Sequence, residues 1–406
     1  MNKYGLLGEK LGHSFSPRIH SLLCGYPYGI YEVERENLGE FLKTTDLAGM
    51  NVTIPYKKDV LAYCSYIDPS VQRIGSANTL VKRSDGWHAY NTDYFGFRYM
   101  TEKSGIDPKG KKAVILGSGG AHLAVKTALE DMGAGEIVVI SRSGENNYNN
   151  LCLHEDAELV VNTTPVGMYP KNGEAAVSLD SFPSCKAVLD LIYNPLKTKL
   201  VLDAESRGIP CVGGLSMLVA QAHKSAELFV GEKIPESRIE EVLKTLSFDV
   251  SNIVMIGMPG SGKSTVGRAL AEKLGREFFD MDEEITKAYG ESPEIIIRTR
   301  GEEAFREIET EMAATLGKKS GCVISTGGGV VTKERNYPLL HQNGIIIWVK
   351  RDLDSLSVAG RPISQSMPIN ELYLKREKLY NFFSDLAVSN DNSADETVKE
   401  IVEGIK

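Results

Sequence analysis

The segment Gly257–Thr265, GMPGSGKST, has the composition of a phosphate-binding loop. It fits the pattern G-x-x-x-x-G-K-[ST] and stands between an apolar strand candidate and an amphipathic helix candidate. Glycines in such a loop let backbone N–H groups surround phosphate oxygens at a helix N-terminus. Lys263 would reach the β- and γ-phosphates of ATP, and Ser264 would bind Mg²⁺. The predicted ATP-binding residues are Gly257, Gly260, Ser261, Gly262, Lys263, Ser264 and Thr265.

Charged residues downstream of this loop suit phosphoryl transfer to an alcohol. Asp280 and Asp282 stand two apart in FFDMDEEI, and on a strand end their side chains would share a face. The reaction needs one acidic group near the metal and another near the attacking hydroxyl. Arg306 and Glu309 are three apart on a helical face of GEEAFREIE, a spacing that by itself predicts a surface ion pair. Three glycines in STGGGVV would let the backbone approach a small ligand closely.

The first half of the chain carries a second set of polar residues. Lys57 in GMNVTIPYK and Asp93 in AYNTDYFGF are the charged members of the set. The other members have hydroxyl or amide side chains: Ser14, Ser16, Thr53 and Asn78. Such a set predicts a site for a polyhydroxylated acid together with a proton donor.

A glycine-rich turn in VILGSGGAHLAVKTAL follows a strand candidate and opens a helix candidate. Gly117, Gly119 and Gly120 predict a nucleotide-binding turn, although the pattern G-x-G-x-x-G lacks its third glycine here. About 20 residues further on, at the position where such folds contact the adenosine ribose, stands Arg142 between two serines. Arginine there suits a 2′-phosphate and so predicts NADP; an acidic residue would favour NAD.

The composition is that of a globular protein with more than one domain. The chain has 406 residues, 42% hydrophobic and 25% charged, and a net charge of −8 that offers no basic surface for nucleic acid. Its six cysteines are scattered, without metal-ligand spacing. No apolar run approaches the roughly 18 residues that span a bilayer, and the N-terminus does not resemble a signal peptide. We expect a cytoplasmic protein that binds neither nucleic acid nor membranes.

Apolar runs alternate with amphipathic segments, which predicts α/β domains with largely parallel sheets. The strand candidates are residues 4–8, 49–55, 112–117, 136–142, 159–165, 187–193, 252–257, 322–329 and 344–350. Helix candidates such as AHLAVKTALEDMG and STVGRALAEKLG end at glycine. A fresh strand begins at residue 252 after an amphipathic helix, so residues 247–251 are interpreted as a short linker.

Taken in order, the motifs of residues 252–406 resemble shikimate kinase: GxxGxGKS, DxD, FRxxE, GGG, an RP-containing lid and an arginine shortly before LY. The resemblance implies that Asp280 supports Mg²⁺ and that Arg361 closes over the transferred phosphate and contacts ATP. It implies catalytic roles for Lys263, Asp282 and Arg361. The implied shikimate-binding residues are Asp282, Arg306, Gly327, Gly328, Gly329 and Arg376. The lid stretch DLDSLSVAGRPIS is shorter than in the family.

Residues 1–246 resemble shikimate dehydrogenase through S-x-S-P, N-V-T-x-P-x-K, A-N-T, N-T-D, the GSGGA turn, NTTPVGM and GGLSMLVAQA. The resemblance implies that Lys57 and Asp93 form the catalytic pair. The implied substrate-binding residues are Ser14, Ser16, Thr53, Lys57, Asn78, Asp93, Tyr193 and Gln221. The implied NADP-binding residues are Gly117, Gly119, Gly120, Ala121, Ser141, Arg142, Ser143, Thr163 and Gly214. After ISRS the chain is shorter than in the family and lacks a further basic residue.

Together the two resemblances imply an α/β protein of three domains. A substrate domain (1–95, completed by about 214–246) accompanies a Rossmann-like NADP domain (96–213). The linker then leads to a P-loop, NMP-kinase-like α/β domain with a central parallel sheet (252–406). The implied function is NADPH-dependent reduction of 3-dehydroshikimate to shikimate, then ATP- and Mg²⁺-dependent phosphorylation to 3-phosphoshikimate, in chorismate biosynthesis. A homodimer is a further expectation.

Two alternatives stay open on the sequence. The first half could act on quinate with NAD, and the second half could phosphorylate another small alcohol. Alternatively, the chain could be a regulator that senses a metabolite without turning it over. Such a regulator would be expected to lose Lys57, Lys263 or the Asp280/Asp282 pair and to add a basic DNA-binding segment, whereas this sequence keeps all four residues.

Overall fold

A computed structural model describes residues 2–12, 14–356 and 368–405 of the chain. Arg361 and the rest of the predicted lid lie outside the described residues. The chain divides into two compact units, Met1–Leu246 and Ser247–Lys406. Each unit is described by itself below.

The first unit begins with a sheet of six strands in the spatial order β2-β1-β3-β5-β6-β4. Its strands are β1 (Tyr4–Gly8), β2 (Tyr28–Glu32), β3 (Gly49–Val52), β4 (Cys64–Ile67), β5 (Thr79–Arg83) and β6 (Gly86–Tyr90). β1 runs parallel to β2 and β3, whereas β5 pairs antiparallel with both β3 and β6. Its helices are α1 (Ser16–Cys24), α2 (Leu38–Thr44), α3 (Pro69–Ile74) and α4 (Asp93–Lys103). Leu7, Met50 and Leu80 are fully buried in its core.

A second, parallel sheet of the same unit has the spatial order β11-β10-β9-β7-β8. Its strands are β7 (Ala113–Leu116), β8 (Ile137–Ile140), β9 (Leu159–Asn162), β10 (Ala187–Asp190) and β11 (Cys211–Val212). Helices α5 (His122–Asp131) and α6 (Lys199–Ser206) follow β7 and β10. Every residue of β7, β9 and β10 is buried, because a parallel sheet covered on both faces exposes neither side of its strands.

Two long helices follow β11 in the chain, α7 (Leu215–Val230) and α8 (Ser237–Val250). α7 packs closely against α4, since a Cβ on Gly96 would lie 2.7 Å from the carbonyl oxygen of Met217 and 3.0 Å from Cβ of Gln221. This contact brings the start of α4 near Gln221. The segment interpreted as a linker, 247–251, is helical up to Val250, because the buried spacing Ile239, Val242, Leu246 carries the helix onward.

The second unit has one parallel five-stranded sheet in the order β13-β14-β12-β15-β16. Its strands are β12 (Asn252–Ile256), β13 (Phe278–Asp280), β14 (Val323–Ser325), β15 (Gly344–Lys350) and β16 (Leu386–Ser389). Its helices are α9 (Lys263–Leu274), α10 (Met281–Tyr289), α11 (Pro293–Arg300), α12 (Glu302–Gly317), α13 (Asn336–His341), α14 (Ile369–Phe383) and α15 (Ala394–Gly404). The chain leaves the central strand β12 directly into the predicted phosphate loop, the position where open α/β sheets bind ligands.

The predicted class, α/β with parallel sheets, is confirmed, and the central parallel sheet of the second unit is as expected. The predicted strands are present but most are shorter; the segment 322–329, for example, is extended only at Val323–Ser325. The antiparallel hairpin of β5 and β6 departs from the expectation of parallel pairing. None of the described helices combines the length and the apolar character that crossing a bilayer requires.

Candidate active sites

The first site is built around an ion pair. Lys57 Nζ donates to Asp93 Oδ2 at 2.6 Å, and Asn78 Nδ2 donates to Asp93 Oδ1 at 2.9 Å. The Lys57 side chain is 14% exposed and that of Asp93 only 5%, so the carboxylate is enclosed while the lysine side chain remains partly accessible. Asp93 is the first residue of α4, where the helix dipole favours a negative charge. The arrangement holds a lysine ammonium in one position.

Asn78 is itself held in one orientation. The backbone N–H of Thr92 donates to Asn78 Oδ1 at 2.7 Å, which turns the amide nitrogen toward Asp93. The same nitrogen lies 3.2 Å from Gln221 Oε1 on α7. Three of the predicted substrate-binding residues therefore meet in one buried cluster with Lys57 at its edge.

The remaining predicted substrate-binding residues lie at the carboxyl ends of neighbouring strands. Ser14 and Ser16 follow β1, with their hydroxyls 3.2 Å apart, and Thr53 follows β3, which pairs with β1. The ring of Tyr193, from the loop after β10, lies 5.5 Å from the ring of Phe15, the residue between Ser14 and Ser16 in the sequence. The two sheets of the unit thus contribute side chains to one place.

A buried polar network behind this cluster was not predicted. Asn51 Oδ1 accepts from Tyr28 at 2.7 Å and from His20 Nε2 at 3.1 Å, and its Nδ2 donates to Ser225 Oγ at 2.7 Å. Burial lowers the pKa of His20 to about 3, so its imidazole is neutral and donates from Nε2. Asn51 lies within β3, inside the motif GMNVTIPYK, where a polar residue among the apolar residues of a strand was the available signal. Ser225 belongs to no motif.

The predicted nucleotide-binding turn lies beside Lys57. A Cβ on Gly120 would lie 3.3 Å from Lys57 Cδ, whereas one on Gly119 would meet nothing within 4 Å. Gly117 has φ of 96° and sits against Thr164, whose Cγ2 would be 2.7 Å from its Cβ. The turn, with Ala121 before α5, therefore presents open backbone to a ligand next to the lysine.

The other predicted cofactor-binding residues lie on three further segments. Thr163 Oγ1 donates to the carbonyl of Leu116 at 2.8 Å. Gly214 precedes α7 and lies so close to Leu191 that a side chain at this position would collide with the Leu191 carbonyl. Ser141, Arg142 and Ser143 follow β8, which pairs in register with β7. Arg142 and Ser143 are exposed to solvent, and so Arg142 is available to an anionic ligand.

The predicted phosphate-binding loop of the second unit has a backbone that requires glycine. Gly257 and Gly262 have φ of 145° and 92°, values that side chains rarely adopt. A Cβ on Gly257 would lie 2.4 Å from the carbonyl of Val349, so glycine is also required by space. Lys263 is buried, and its ammonium donates to the carbonyls of Gly257 at 3.1 Å and Met258 at 3.0 Å, across the loop. Thr265 is exposed on the first turn of α9.

Oxygen atoms suitable for Mg²⁺ converge at the start of α9. Ser264 Oγ donates to Asp280 Oδ2 at 2.5 Å and lies 3.1 Å from Ser325 Oγ. Hydroxyl and carboxylate oxygens are the ligands that Mg²⁺ prefers, so Ser264 and Asp280 fit the predicted metal site. The expected strand-face geometry of Asp280 and Asp282 is wrong, because β13 ends at Asp280, which accepts from the backbone N–H of Asp282 and caps α10.

A cavity of about 200 Å³ opens beside this loop. It is lined by charged residues and glycines, among them Lys263, Ser264, Asp280, Asp282, Arg306, Glu309, Gly327, Gly328, Gly329 and Arg376. Arg306 and Glu309 are 4% and 0% exposed, with 2.7 Å between Nη1 and Oε2, so the expectation of a surface ion pair is wrong. Burial raises the pKa of Glu309, against the opposing effect of Arg306.

Backbone carbonyls and glycines hold the two cavity arginines in place. Arg376, also buried, donates to the carbonyl of Gly328 at 3.1 Å. Gly329 leaves room for Arg306, because a Cβ there would lie 2.3 Å from the guanidinium carbon. Three cationic side chains, four carboxylates and a glycine backbone thus line one small cavity, a combination suited to a hydroxylated carboxylic acid. Glu309 was not among the predicted site residues, although the FRxxE motif contains it.

Known proteins resemble both units. The family model for the shikimate dehydrogenase substrate binding domain matches residues 6–80, and the shikimate kinase model matches residues 259–406. A shikimate dehydrogenase (NADP⁺) from Clostridium perfringens is 37% identical over 268 residues, which cover 61% of this chain and 98% of that relative.

Solved structures resemble the first part of the chain in the same way. A chorismate mutase/shikimate 5-dehydrogenase fusion protein from Clostridium acetobutylicum matches with a TM-score of 0.58 at 37% identity, over 60% of this chain and 97% of that chain. The enzyme from Thermus thermophilus, solved with NADP(H) and shikimate, matches with a TM-score of 0.55 at 30% identity, over 60% and 99%. The chain belongs to the shikimate dehydrogenase family, and its second unit carries a match to the shikimate kinase family.

Proposed function

We propose that this chain is a bifunctional enzyme that reduces 3-dehydroshikimate to shikimate with NADPH and phosphorylates shikimate with ATP and Mg²⁺. The observation that carries the first activity is the enclosed Lys57–Asp93 pair beside an open glycine turn. The second activity is supported by a phosphate-binding loop that shares a cavity with Arg306 and Arg376. The two family matches name successive steps on one metabolite, and each was found independently of the other.

In the dehydrogenase site, Lys57 acts as the general acid. When bound at the glycine turn, NADPH supplies the hydride that the ketone carbon receives. The Lys57 ammonium donates its proton to the carbonyl oxygen as negative charge develops there. Asp93 keeps the ammonium in place, and Asn78 prevents the carboxylate from rotating away. Ser14, Ser16 and Thr53 are assigned to substrate binding by family resemblance.

The cofactor preference rests on Arg142. Its guanidinium is exposed after β8, beside the glycine turn of β7, and pairs with the 2′-phosphate of NADP. The serines on either side supply further hydroxyl donors. The relative from Clostridium perfringens is an NADP⁺ enzyme, which supports the same preference.

In the kinase site, Lys263 neutralises the β- and γ-phosphates of ATP, and Ser264 with Asp280 holds Mg²⁺. Bound Mg²⁺ supplies charge stabilisation for the transferred phosphoryl group. Asp282 accepts a proton from the attacking hydroxyl of shikimate, whose carboxylate pairs with Arg306 and Arg376. Arg361 is assigned to ATP and to the transferred phosphate by family resemblance.

The domain limits follow the same proposal: 1–95 with about 214–246 for substrate, 96–213 for NADP, and 252–406 for the kinase. We propose a cytoplasmic enzyme with small-molecule substrates, acting as a homodimer in the synthesis of chorismate.

One reaction mixture tests the proposal. Full-length protein is incubated with 3-dehydroshikimate, NADPH, ATP and Mg²⁺, and the products are identified by mass spectrometry. We expect 3-phosphoshikimate, and with EDTA we expect unphosphorylated shikimate, because only the kinase requires the metal. Parallel mixtures contain quinate, NAD⁺ or other small alcohols. Unchanged 3-dehydroshikimate refutes the dehydrogenase activity, and turnover of quinate with NAD⁺ would then replace it. Unphosphorylated shikimate in the mixture that contains Mg²⁺ refutes the kinase activity.

A further inference from the structure

A fully buried carboxylate, Asp190, lies beneath the loops proposed to bind cofactor and substrate. It is the last residue of β10 and takes no part in the chemistry described above. Its Oδ1 accepts from Asn162 Nδ2 and from the backbone N–H of Ile192, both at 3.0 Å. Its Oδ2 accepts from the Thr198 hydroxyl at 2.6 Å. The three donors belong to the end of β9, the loop after β10 and the residue before α6.

The hydrogen bond to Asp190 fixes the orientation of the Asn162 side-chain amide. Because an ionised carboxylate only accepts hydrogen bonds, the nitrogen of Asn162 must face Asp190. The amide oxygen then points away and accepts from the backbone N–H of Thr164 at 3.0 Å and from its hydroxyl at 2.7 Å. These bonds shape the loop of Thr163 and Thr164, which packs against Gly117 of the nucleotide-binding turn. A continuous set of contacts thus runs from Asp190 to that turn.

The other two donors to Asp190, the Ile192 N–H and the Thr198 hydroxyl, belong to other segments of the chain. Ile192 precedes Tyr193 of the substrate site, and its carbonyl accepts from the backbone N–H of Gly214 at 2.9 Å. Thr198 caps α6, accepting from the backbone N–H of Val201 at 3.3 Å. The Thr198 branch therefore ends at a helix terminus away from the glycine turn, which makes it a suitable comparison.

We propose that Asp190 is a positioning residue of the cofactor site, acting through the Asn162 amide on the loop that faces the glycine turn. This inference rests on the proposed dehydrogenase function. Burial raises the pKa of Asp190 to about 6, so the carboxylate is mostly ionised at neutral pH despite the unfavourable surroundings. A buried acceptor with three well-aligned donors is a rigid support for two neighbouring loops.

Full-length variants Asp190→Ala, Asp190→Asn, Asn162→Ala and Thr198→Ala test the proposal. The KM for NADPH, the KM for 3-dehydroshikimate, kcat and the melting temperature are measured, with kinase activity as an internal reference. We expect Asp190→Ala and Asn162→Ala to raise the NADPH KM about tenfold, as for one lost well-oriented hydrogen bond. Asp190→Asn should stay within about twofold of wild type, because its side-chain oxygen still accepts from Asn162. Thr198→Ala should lower the melting temperature and leave the NADPH KM unchanged.

A purely structural role would lower the melting temperature of Asp190→Ala and Asn162→Ala without moving the NADPH KM, and that result overturns the proposal. An NADPH KM equally high in Asp190→Asn and Asp190→Ala also overturns it, since orientation of the amide would then not be the cause. If Asp190→Ala fails to fold, Asn162→Ala decides alone. A wild-type chain inactive with NADPH would instead refute the dehydrogenase function.

Discussion

Replacement of Gly329 by alanine should impair the acceptor side of the kinase site without straining the backbone. Gly329 has φ of −104°, which alanine adopts freely. A Cβ at this position would lie 2.3 Å from Cζ, Nη1 and Nη2 of Arg306. The methyl group and the guanidinium cannot share that space, so Arg306 must withdraw.

The size of the effect follows from the displacement. Ordinary contact with a Cβ begins at 3.4 Å, so the guanidinium must move by about 1.1 Å, the difference from 2.3 Å. A shift of that size away from Glu309 would lengthen the 2.7 Å bond from Arg306 to Glu309 beyond hydrogen-bonding distance, and would weaken the proposed pairing with substrate. A hydrogen bond to a charged group contributes roughly 1.5–3 kcal/mol, which corresponds to a roughly 10- to 150-fold lower kcat/KM for shikimate.

The assay measures ADP release at saturating ATP while shikimate is varied. The KM for ATP should stay within about twofold of wild type, because the three atoms nearest to the methyl group all belong to Arg306 and none to the phosphate loop. Dehydrogenase activity of the same sample reports the concentration of folded chain. The matched control introduces Gly329→Ala into an Arg306→Ala background, where the methyl group meets no guanidinium and should cost little further.

A loss of equal size in both backgrounds would mean that the methyl group acts by another route than Arg306. Unchanged kcat/KM in the single variant would refute the placement of the guanidinium over Gly329.

Three further predictions concern the first unit. Lys57→Ala should lower dehydrogenase kcat by about 10²- to 10⁴-fold with an unchanged circular dichroism spectrum. The control Lys58→Ala, at the exposed neighbouring residue, should change kcat little. Near-normal turnover of Lys57→Ala would remove Lys57 from the mechanism. Arg142→Ala should raise the KM for NADPH at least about tenfold and leave that for NADH unchanged, and equal effects on both would contradict the 2′-phosphate assignment. Because burial raises the pKa of Asp190 to about 6 from 3.8, its contribution to the free energy of unfolding is complete below pH 3.8 and lost as pH rises through 6. The total is about 3 kcal/mol, of which about half disappears between pH 5 and 7.5. The free energy of unfolding in urea is measured for wild type and Asp190→Asn, and the difference between them should fall by that half over this pH range. A difference that stays constant with pH would refute the pKa shift.

Two strands of the second unit are among the elements that the sequence predicted best. β12 and β15 are uninterrupted apolar runs, and their predicted and observed limits differ by at most one residue. β11 and β13 have two and three residues, too few to form a pattern. In β6, GWHAY, a glycine and a histidine interrupt the apolar pattern, although pairing in a hairpin makes it a strand.

Site residues that are close together in the sequence were also easier to predict than those that the fold brings together. The phosphate loop was predictable because all of its residues are consecutive. The expected strand geometry of Asp280 and Asp282 failed because the acidic residues Asp282, Glu283 and Glu284 favour the first turn of a helix, and this local preference ended the strand. Asp190 could not be found in advance, since its importance comes from donors that separate parts of the chain bring to it.

The presence of two compact units in one polypeptide also has a consequence for metabolism. Translation makes both units in equal numbers, so expression of this chain cannot change the amount of one relative to the other. Any accumulation of shikimate would then depend on the ratio of the two turnover rates and on the supply of reduced cofactor and ATP. A substitution that slows only the second unit would raise the shikimate pool without altering the amount of either enzyme.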